Sequence, residues 1–480
     1  LTSSSLQDEL RQIVGADNVL TSPVDLSVYE CDAETLDVSA PEIVVLPVST
    51  DEVAAVVRLA NKYQVPFCPR GAGTGLSGGA TAIFGGILLA LTRMTRILEI
   101  DPVDRIAIAQ AGATNLSISQ AAEQYGLYFA PDPSSQSAST VGGNLAENAG
   151  GPHCLKYGMT TNHVLGVKVV LPDGRVTIFG GRGRSHVGLD LLGLFVGSEG
   201  TLGLATEAVL QLVPRAQAVE TMLAYFPSVE AGGQAVSDIV AAGVVPAAME
   251  MIDQLTLNAV EDAHHMGLDR SAGALLIVEL DGPRAGILVH RHIVENCLRE
   301  NGVLNVFWAK DQKERAKIWK ARKSAFGSLG RIAPHGYVLD GVIPRSKLAE
   351  AIRKIGEIGE KRHLVIANVY HAGDGNLHPC MLYHKDNEQE VESVLIAGKE
   401  ILELCVELGG TLSGEHGIGV EKIGEMHRVF TEDDMQAMGW VKHAFNPSNL
   451  CNPGKILPTP KACGESGRRA MLRHSLSASC

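Results

Sequence analysis

The 480-residue sequence predicts an α+β fold in two parts. Three glycine-rich stretches, at 69–79, 140–151 and 197–203, punctuate short apolar runs in the first part. After Pro214 these cradles stop, and β-type apolar runs exchange with amphipathic helical ones. That exchange is the pattern of an antiparallel sheet with helices on one face. A chain this long exceeds one ordinary core. The expected organisation is a helical segment over 1–36, a first domain over 37–214 and a second over 215–458. A polar, mildly basic tail over 459–480 is expected to be disordered.

Ile43 to Pro47 is a short apolar run that reads as a strand. Ser49 then caps a helix whose Val53, Val56, Val57 and Ala60 recur at helical spacing. Val65 to Phe67 is the next strand and delivers the loop P-R-G-A-G-T-G-L-S-G-G. Glycines at this density let backbone N–H groups converge on one concavity, which is how main chain holds a phosphate or pyrophosphate. Three such loops imply a large, phosphate-bearing ligand. Gly73, Gly75 and Gly78 match the spacing G-x-G-x-x-G, but the chain runs on to Ile87-Leu88-Leu89 with no room for a helix. The doubly wound dinucleotide fold is therefore rejected.

Ile106 to Gly112 reads as a strand and Ser117 to Tyr125 as a helix, before the second glycine loop. Val164 to Leu171 and Val176 to Phe179 flank Asp173-Gly174, a hairpin signature. Ala208 to Val213 ends the first part. In the second part, strands are predicted at 222–226, 274–279, 336–339 and 364–369. Helices are predicted at 231–242, 285–299, 313–329, 348–358, 391–408 and 431–445.

The formal net charge of -13 argues against nucleic acid and anionic lipid as partners. No run of apolar residues reaches the length of a transmembrane helix, and Leu1 to Leu10 lacks the pattern of a signal peptide. The nine cysteines are scattered and form no C-x-x-C pair, so reduced thiols in the cytoplasm are expected and an iron–sulfur cluster is not.

Two stretches carry imidazole and carboxylate among glycines: Val369 to Pro379, and Ser413 to Gly419. His371 and His378 lie seven apart on what reads as a loop. With Glu415 they could hold Zn, Fe, Co or Mn, or they could be structural histidines making turn hydrogen bonds. Asp374 orients a ligand or simply serves its Asp-Gly turn. His416 is placed to be a general base, or a buried hydrogen-bonding histidine. Arg322 on a helix could grip a carboxylate or be solvated. Asn452 lies in a tight turn within reach of either ligand.

Taken together, these motifs resemble the FAD-linked 2-hydroxyacid oxidoreductases of the vanillyl-alcohol-oxidase-like superfamily. The residues carrying the likeness are P-R-G-A-G-T-G-L-S-G-G, G-G-N-L-A-E-N-A-G-G, G-S-E-G-T-L-G, H-A-G-D-G-N-L-H-P, S-G-E-H-G-I-G and N-P-G-K-I-L-P. Members include D-lactate and D-2-hydroxyglutarate dehydrogenases and the D subunit of bacterial glycolate oxidase, whose motifs fit best. The resemblance implies a two-part PCMH-type FAD-binding domain followed by an α+β substrate or cap domain with an antiparallel sheet. FAD would be lined by Pro69, Arg70, Gly71, Gly73, Thr74, Gly75, Ser77 and Gly78. From the second stretch it would meet Gly142, Gly143, Asn144 and Asn148, with Pro131, Gly158, Glu199, Gly203 and Asn452 nearby. It further implies His371, His378 and Glu415 as metal ligands, His416 as base, Arg322 on the substrate carboxylate, and Asn452 approaching the flavin. Oxidation of glycolate would involve a second FAD-binding subunit and an iron–sulfur subunit, with membrane contact only through a partner.

Three positions depart from the hydroxyglutarate enzyme. Phe326, Val338 and Cys380 stand where a threonine, a lysine and an asparagine are expected. None can grip a distal carboxylate, so the substrate is expected to be short. Thr74 stands where some relatives attach FAD through histidine, so the FAD is expected to be noncovalent. The alternatives are a stand-alone D-lactate or other D-2-hydroxyacid dehydrogenase, a noncatalytic FAD-binding assembly subunit and, from spacing alone, a metal-dependent hydrolase.

Overall fold

The structure, a computed structural model, describes residues 4–183 and 187–458; the tail expected at 459–480 lies outside them. Packing groups the chain into two units. The first comprises Leu1–Gly150, Met159–Arg215 and Glu415–Cys480, and the second Gly151–Gly158 and Ala216–Gly414. This grouping does not follow the sequence order 37–214 and 215–458: a short piece of the first stretch packs with the second unit, and the chain after Gly414 returns to the first.

The first unit holds a four-stranded and a five-stranded sheet. In the smaller sheet, Ile43–Val45 and Phe67–Arg70 flank Ile87–Ala90 in parallel. The helix Thr50–Tyr63 begins where the Ser49 side chain accepts from Glu52 N at 3.2 Å, and buries Val53, Val56, Val57 and Ala60. Ser4–Val14 adds Leu6, Leu10 and Val14 to the same core. The larger sheet is antiparallel, in the order Ile97–Asp101, Ile106–Gln110, Leu204–Gln211, Val164–Val170, Val176–Gly180. Its last two strands are the hairpin predicted around Asp173-Gly174.

The second glycine stretch is not wholly a loop. Val141–Glu147 is helical, capped by Thr140, whose Oγ1 accepts from Gly143 N at 3.3 Å. Glycine weakens a helix by about 1 kcal/mol per residue, but here tertiary packing decides: a Cβ on Gly142 would lie 2.8 Å from the Ala111 Cβ.

The second unit is built on one antiparallel sheet. Its strand order is Asn305–Trp308, Ala218–Phe226, Ala274–Gly282, Ala248–Asp253, Val365–His371, Asn376–Tyr383, His335–Val338, with Gly341–Val342 also paired to Asn376–Tyr383. The strand Ala248–Asp253 and the helix Gln254–His264 were not predicted; A-M-E-M-I-D has little β-branched character to mark a strand. Helices cover both faces, not one as expected. Leu223, Ile252, Leu275 and Val369 pack with Leu257, Val260, Ile318 and Ala325 on one side. On the other, Gly232 of the helix Val229–Ala241 meets Met251 and Phe226 so closely that a Cβ would fall 2.9 Å from the Met251 sulfur. Alternate residues of each central strand are apolar in both directions, so both faces demand cover.

Candidate active site

In the first unit the glycine stretches converge. Pro69, Arg70 and Gly71 from the first, Gly142 and Gly143 from the second, and Glu199 and Gly203 from the third line one recess of about 610 Å³, part of it open to solvent. Close approach explains the glycines: a Cβ on Gly71 would sit 2.3 Å from Thr140 Oγ1. Thr140, Glu147, Ser198 and Gly200 also line the recess and were not singled out. Gly73, Thr74, Gly75, Ser77, Gly78, Asn144 and Asn148 belong to the same loops but are not among the lining residues. Pro131 spends its carbonyl on Asn115 Nδ2 at 2.9 Å, and Gly158 packs with the second unit.

The loops are tied to one another by side chains. Glu199 accepts from Ile418 N and Gly419 N, both at 2.7 Å. Asn452, fully buried, donates through Nδ2 to Gly79 O at 3.0 Å and Glu199 O at 2.7 Å. Among the described residues several buried polar atoms have no hydrogen-bond partner: Glu147 Oε2 and Ser198 Oγ in the lining, and Asn144 Nδ2, Ser139 Oγ and Asn452 Oδ1 in the chain that frames it. A lone buried orphan is costly, so such a concentration marks where a polar ligand supplies the missing hydrogen bonds. A dinucleotide with a pyrophosphate and a polar ring edge meets that need.

Burial drives the acids here upward. Glu147 is pushed well above the usual carboxylate range, first by desolvation and then by Glu199. Asp32 is raised to about 6 by burial, although Glu34 N and Ala80 N donate to it. A raised carboxyl contributes stability that is complete below its unfolded value of 3.8 and is lost as pH rises through the folded value of about 6. Asp32→Asn should therefore gain on wild type by up to ~3 kcal/mol as pH rises from 4 to 8. Thermal melts of the two proteins across that range check it; curves that stay parallel would refute the assignment.

In the second unit, strand register assembles a cluster. Glu250 pairs with His371, His371 with Asn376, and Val369 with His378, which sets these side chains on one sheet face. His371 ends the strand Val365–His371 and His378 lies in Asn376–Tyr383, so the two histidines stand on paired strands of a hairpin, not on a loop as expected. Their rings are 5.0 Å apart between centroids and perpendicular. His371 Nδ1 lies 2.7 Å from Glu250 Oε1, and His378 Nδ1 lies 3.1 Å from Leu339 O. With a carboxylate facing one Nδ1 and a carbonyl the other, the contacts place a proton on Nδ1 of both rings.

Arg322, in the buried face of the helix Gln312–Lys323, donates Nε–H to Glu250 Oε2 at 2.6 Å. It is not a solvated surface arginine: its side chain is 4% exposed and that of Glu250 0%. Among the described residues its Nη amines meet no acceptor, which leaves them available as a fork. Burial opposes ionisation of Glu250, but His371 and Arg322 outweigh it and hold the carboxyl below its usual value. Asn376 Oδ1 is buried and unpartnered on the same face.

Asp340 accepts from Ser413 Oγ at 2.6 Å and Gly414 N at 3.0 Å, fixing the chain just before Glu415. Glu415 and His416 open the segment that belongs to the first unit. Asp374, beside the cluster, accepts from Asn376 N at 3.1 Å as a turn residue does. Phe326, Val338 and Cys380 come together in one apolar cluster, and the Phe326 ring stands 6.5 Å from that of His378. Burial pushes the Cys380 thiol up to about 12, so it carries no charge.

Sequence reasoning missed Glu250 because it missed its strand. It also missed Glu279, which accepts from Arg315 Nε and Nη2, Trp319 Nε1 and Thr221 Oγ1, with His153 Nε2 at 3.2 Å. The legible signal was one carboxylate inside an apolar run, as in M-E-M-I and I-V-E-L, since a buried acid requires partners.

A glycine-lined recess edged by unpartnered polar atoms, on the same chain as a buried imidazole and guanidinium cluster, marks the class as an enzyme that holds a large polar cofactor. Comparison with known proteins gives the family. The FAD binding domain model matches residues 41–180, and the C-terminal domain of FAD linked oxidases matches 215–456. Glycolate oxidase subunit GlcD of Escherichia coli K12 is 44% identical over 95% of this chain and 92% of its own. A D-lactate dehydrogenase of Archaeoglobus fulgidus is 35% identical over 86% of this chain and 91% of its own. The solved structure of p-cresol methylhydroxylase shares the fold, with TM-score 0.79 at 17% identity, covering 94% of this chain and 96% of that one. The chain belongs to the FAD-linked oxidases and is an enzyme with FAD as its cofactor. Among the described residues no helix is long and apolar enough to cross a membrane.

Proposed function

We propose that the protein oxidises a short 2-hydroxy acid, glycolate to glyoxylate, as the catalytic subunit of a glycolate oxidase complex. The observation that carries this reading is the cluster on one sheet face, where Arg322 holds out a fork of donors beside two histidines with fixed tautomers. Pro69, Arg70, Gly71, Gly142, Gly143, Glu199 and Gly203 would hold the FAD, without a covalent bond because Thr74 offers no histidine. FAD, when bound, would supply the redox chemistry as the hydride acceptor for C2 of the substrate.

His371 and His378 suit a divalent ion, because a ligating histidine characteristically donates its other ring N–H to a carboxylate or a carbonyl, as both do here. Glu415, following the Gly414 that Asp340 fixes, is the third ligand in this reading, and such an ion supplies Lewis acidity. Arg322 binds the substrate carboxylate through Nη1 and Nη2. His416 takes the hydroxyl proton on a ring nitrogen as the alcohol becomes a carbonyl. Phe326, Val338 and Cys380 close the side-chain end of the site with apolar groups, which favours a substrate with one carboxylate. Reoxidation would then fall to a second FAD-binding subunit and an iron–sulfur subunit, consistent with the name of the GlcD relative as a subunit.

A stand-alone D-lactate dehydrogenase is the second reading, favoured by the similarity to the Archaeoglobus enzyme. An anaerobic visible spectrum separates the two. Flavin bands at roughly 375 and 450 nm should bleach with glycolate. Bleaching by D-lactate alone would select the second reading, and bleaching by neither would mean that a partner completes the site or that this chain is a cofactor-binding assembly subunit. His371→Ala should retain FAD and lose its metal, read by elemental analysis; full metal content in the variant would refute the ligand assignment.

A further inference from the structure

We infer that Glu250 is a positioning residue that couples the metal-ligating histidine to the substrate-binding arginine. This inference rests on the metal and substrate roles proposed above. Glu250 is in the middle of the strand Ala248–Asp253, which pairs directly with Val365–His371, and its side chain is fully buried. One oxygen accepts from His371 Nδ1 at 2.7 Å and the other from Arg322 Nε at 2.6 Å. Each oxygen therefore serves a different functional group.

The first contact fixes the ring. It holds the His371 proton on Nδ1, sets the plane of the imidazole and makes Nε2 a stronger donor to a cation. The second holds the guanidinium by its Nε edge, so the Nη fork faces away from Glu250 and toward a carboxylate. A shift of the Glu250 carboxylate moves both groups together. The groups it would align are thus the alcohol oxygen and the acid end of one small substrate.

Stability alone does not account for this arrangement. Replacing a buried ion pair with packed apolar side chains is often neutral or stabilising. The other buried carboxylate of this sheet face, Glu279, behaves differently: it gathers Arg315, Trp319, Thr221 and His153, none of them in the proposed site. Glu279 therefore serves as the matched control.

The test uses the full-length FAD-loaded protein, stripped of metal by chelation and titrated with Zn²⁺ and with Mn²⁺. Oxalate, a non-oxidisable dicarboxylate, is then titrated against the flavin spectrum of the metal-loaded protein. Glu250→Gln keeps the shape but turns an amide N–H toward one of the two donors. Metal affinity should fall by about 10- to 100-fold, and oxalate affinity by about tenfold or more, with FAD content unchanged. Glu279→Gln should leave both affinities within about twofold of wild type.

Wild-type metal and oxalate affinities in Glu250→Gln would overturn the inference, and a change in only one of them would overturn the coupling. Wild-type protein that binds neither ion refutes the metal reading itself, and this inference with it. Should Glu250→Gln fail to fold, the tautomer of His371 in the wild-type protein decides the matter. Nitrogen-15 spectra, assigned by loss of the signal in His371→Gln, should show Nδ1 protonated; a bare Nδ1 would overturn the inference.

Discussion

Arg322→Met is expected to lower the efficiency of flavin reduction by glycolate about 10²- to 10⁴-fold, mostly through weaker substrate binding. Two parallel charge-assisted hydrogen bonds to a carboxylate are worth roughly 1.5–3 kcal/mol each. Methionine fills similar space but offers no donor. It also leaves one oxygen of a fully buried carboxylate without its cation, which costs about 3 kcal/mol or more, so the melting temperature should fall as well. Arg322→Lys separates the two effects: it restores a charge near Glu250 but not the fork, and should recover stability more than binding. Stopped-flow reduction measured against glycolate concentration is the check. An unchanged half-saturating concentration in Arg322→Met would remove Arg322 from the substrate site.

Gly71→Ala is expected to give a protein that retains about a tenth of its FAD or less. The added Cβ falls 2.3 Å from Thr140 Oγ1, and Gly143 lies next behind it. Thr140 cannot turn aside freely, because the same oxygen caps the helix Val141–Glu147. Loss of such a cap costs about 0.5–2 kcal/mol, and 1.4 kcal/mol is already tenfold in affinity. The new methyl also intrudes on the recess that Gly71 lines. Flavin released from the purified variant, expressed per chain, measures the effect. Full FAD content would mean that the first glycine stretch does not hold the cofactor where the recess lies.

Much of the fold was legible because it rests on local signals. The Ser49 cap and the helical spacing of Val53, Val56, Val57 and Ala60 sufficed for one helix, and Asp173-Gly174 between apolar runs for one hairpin. The three glycine stretches announced a cradle, since a main chain free of Cβ atoms is what a close phosphate requires. Phe326, Val338 and Cys380 could be picked out singly, but only the folded chain joins them in one apolar cluster.

What stayed hidden shares a physical cause. The helix Val141–Glu147 forms despite two glycines, and at Gly142 the neighbouring Ala111 leaves no room for a Cβ. The strand Ala248–Asp253 forms because strands on both sides supply its hydrogen bonds, whatever its weak propensity. The sequence alone, through the likeness of its motifs, determined the cofactor class and the order of most elements, and it singled out His371, His378 and Arg322 as candidates. Tertiary structure alone decided that Glu250 stands between His371 and Arg322. A hydrogen bond spanning 121 positions to His371 and 72 to Arg322 leaves no trace in local spacing, because only sheet register and helix packing set it.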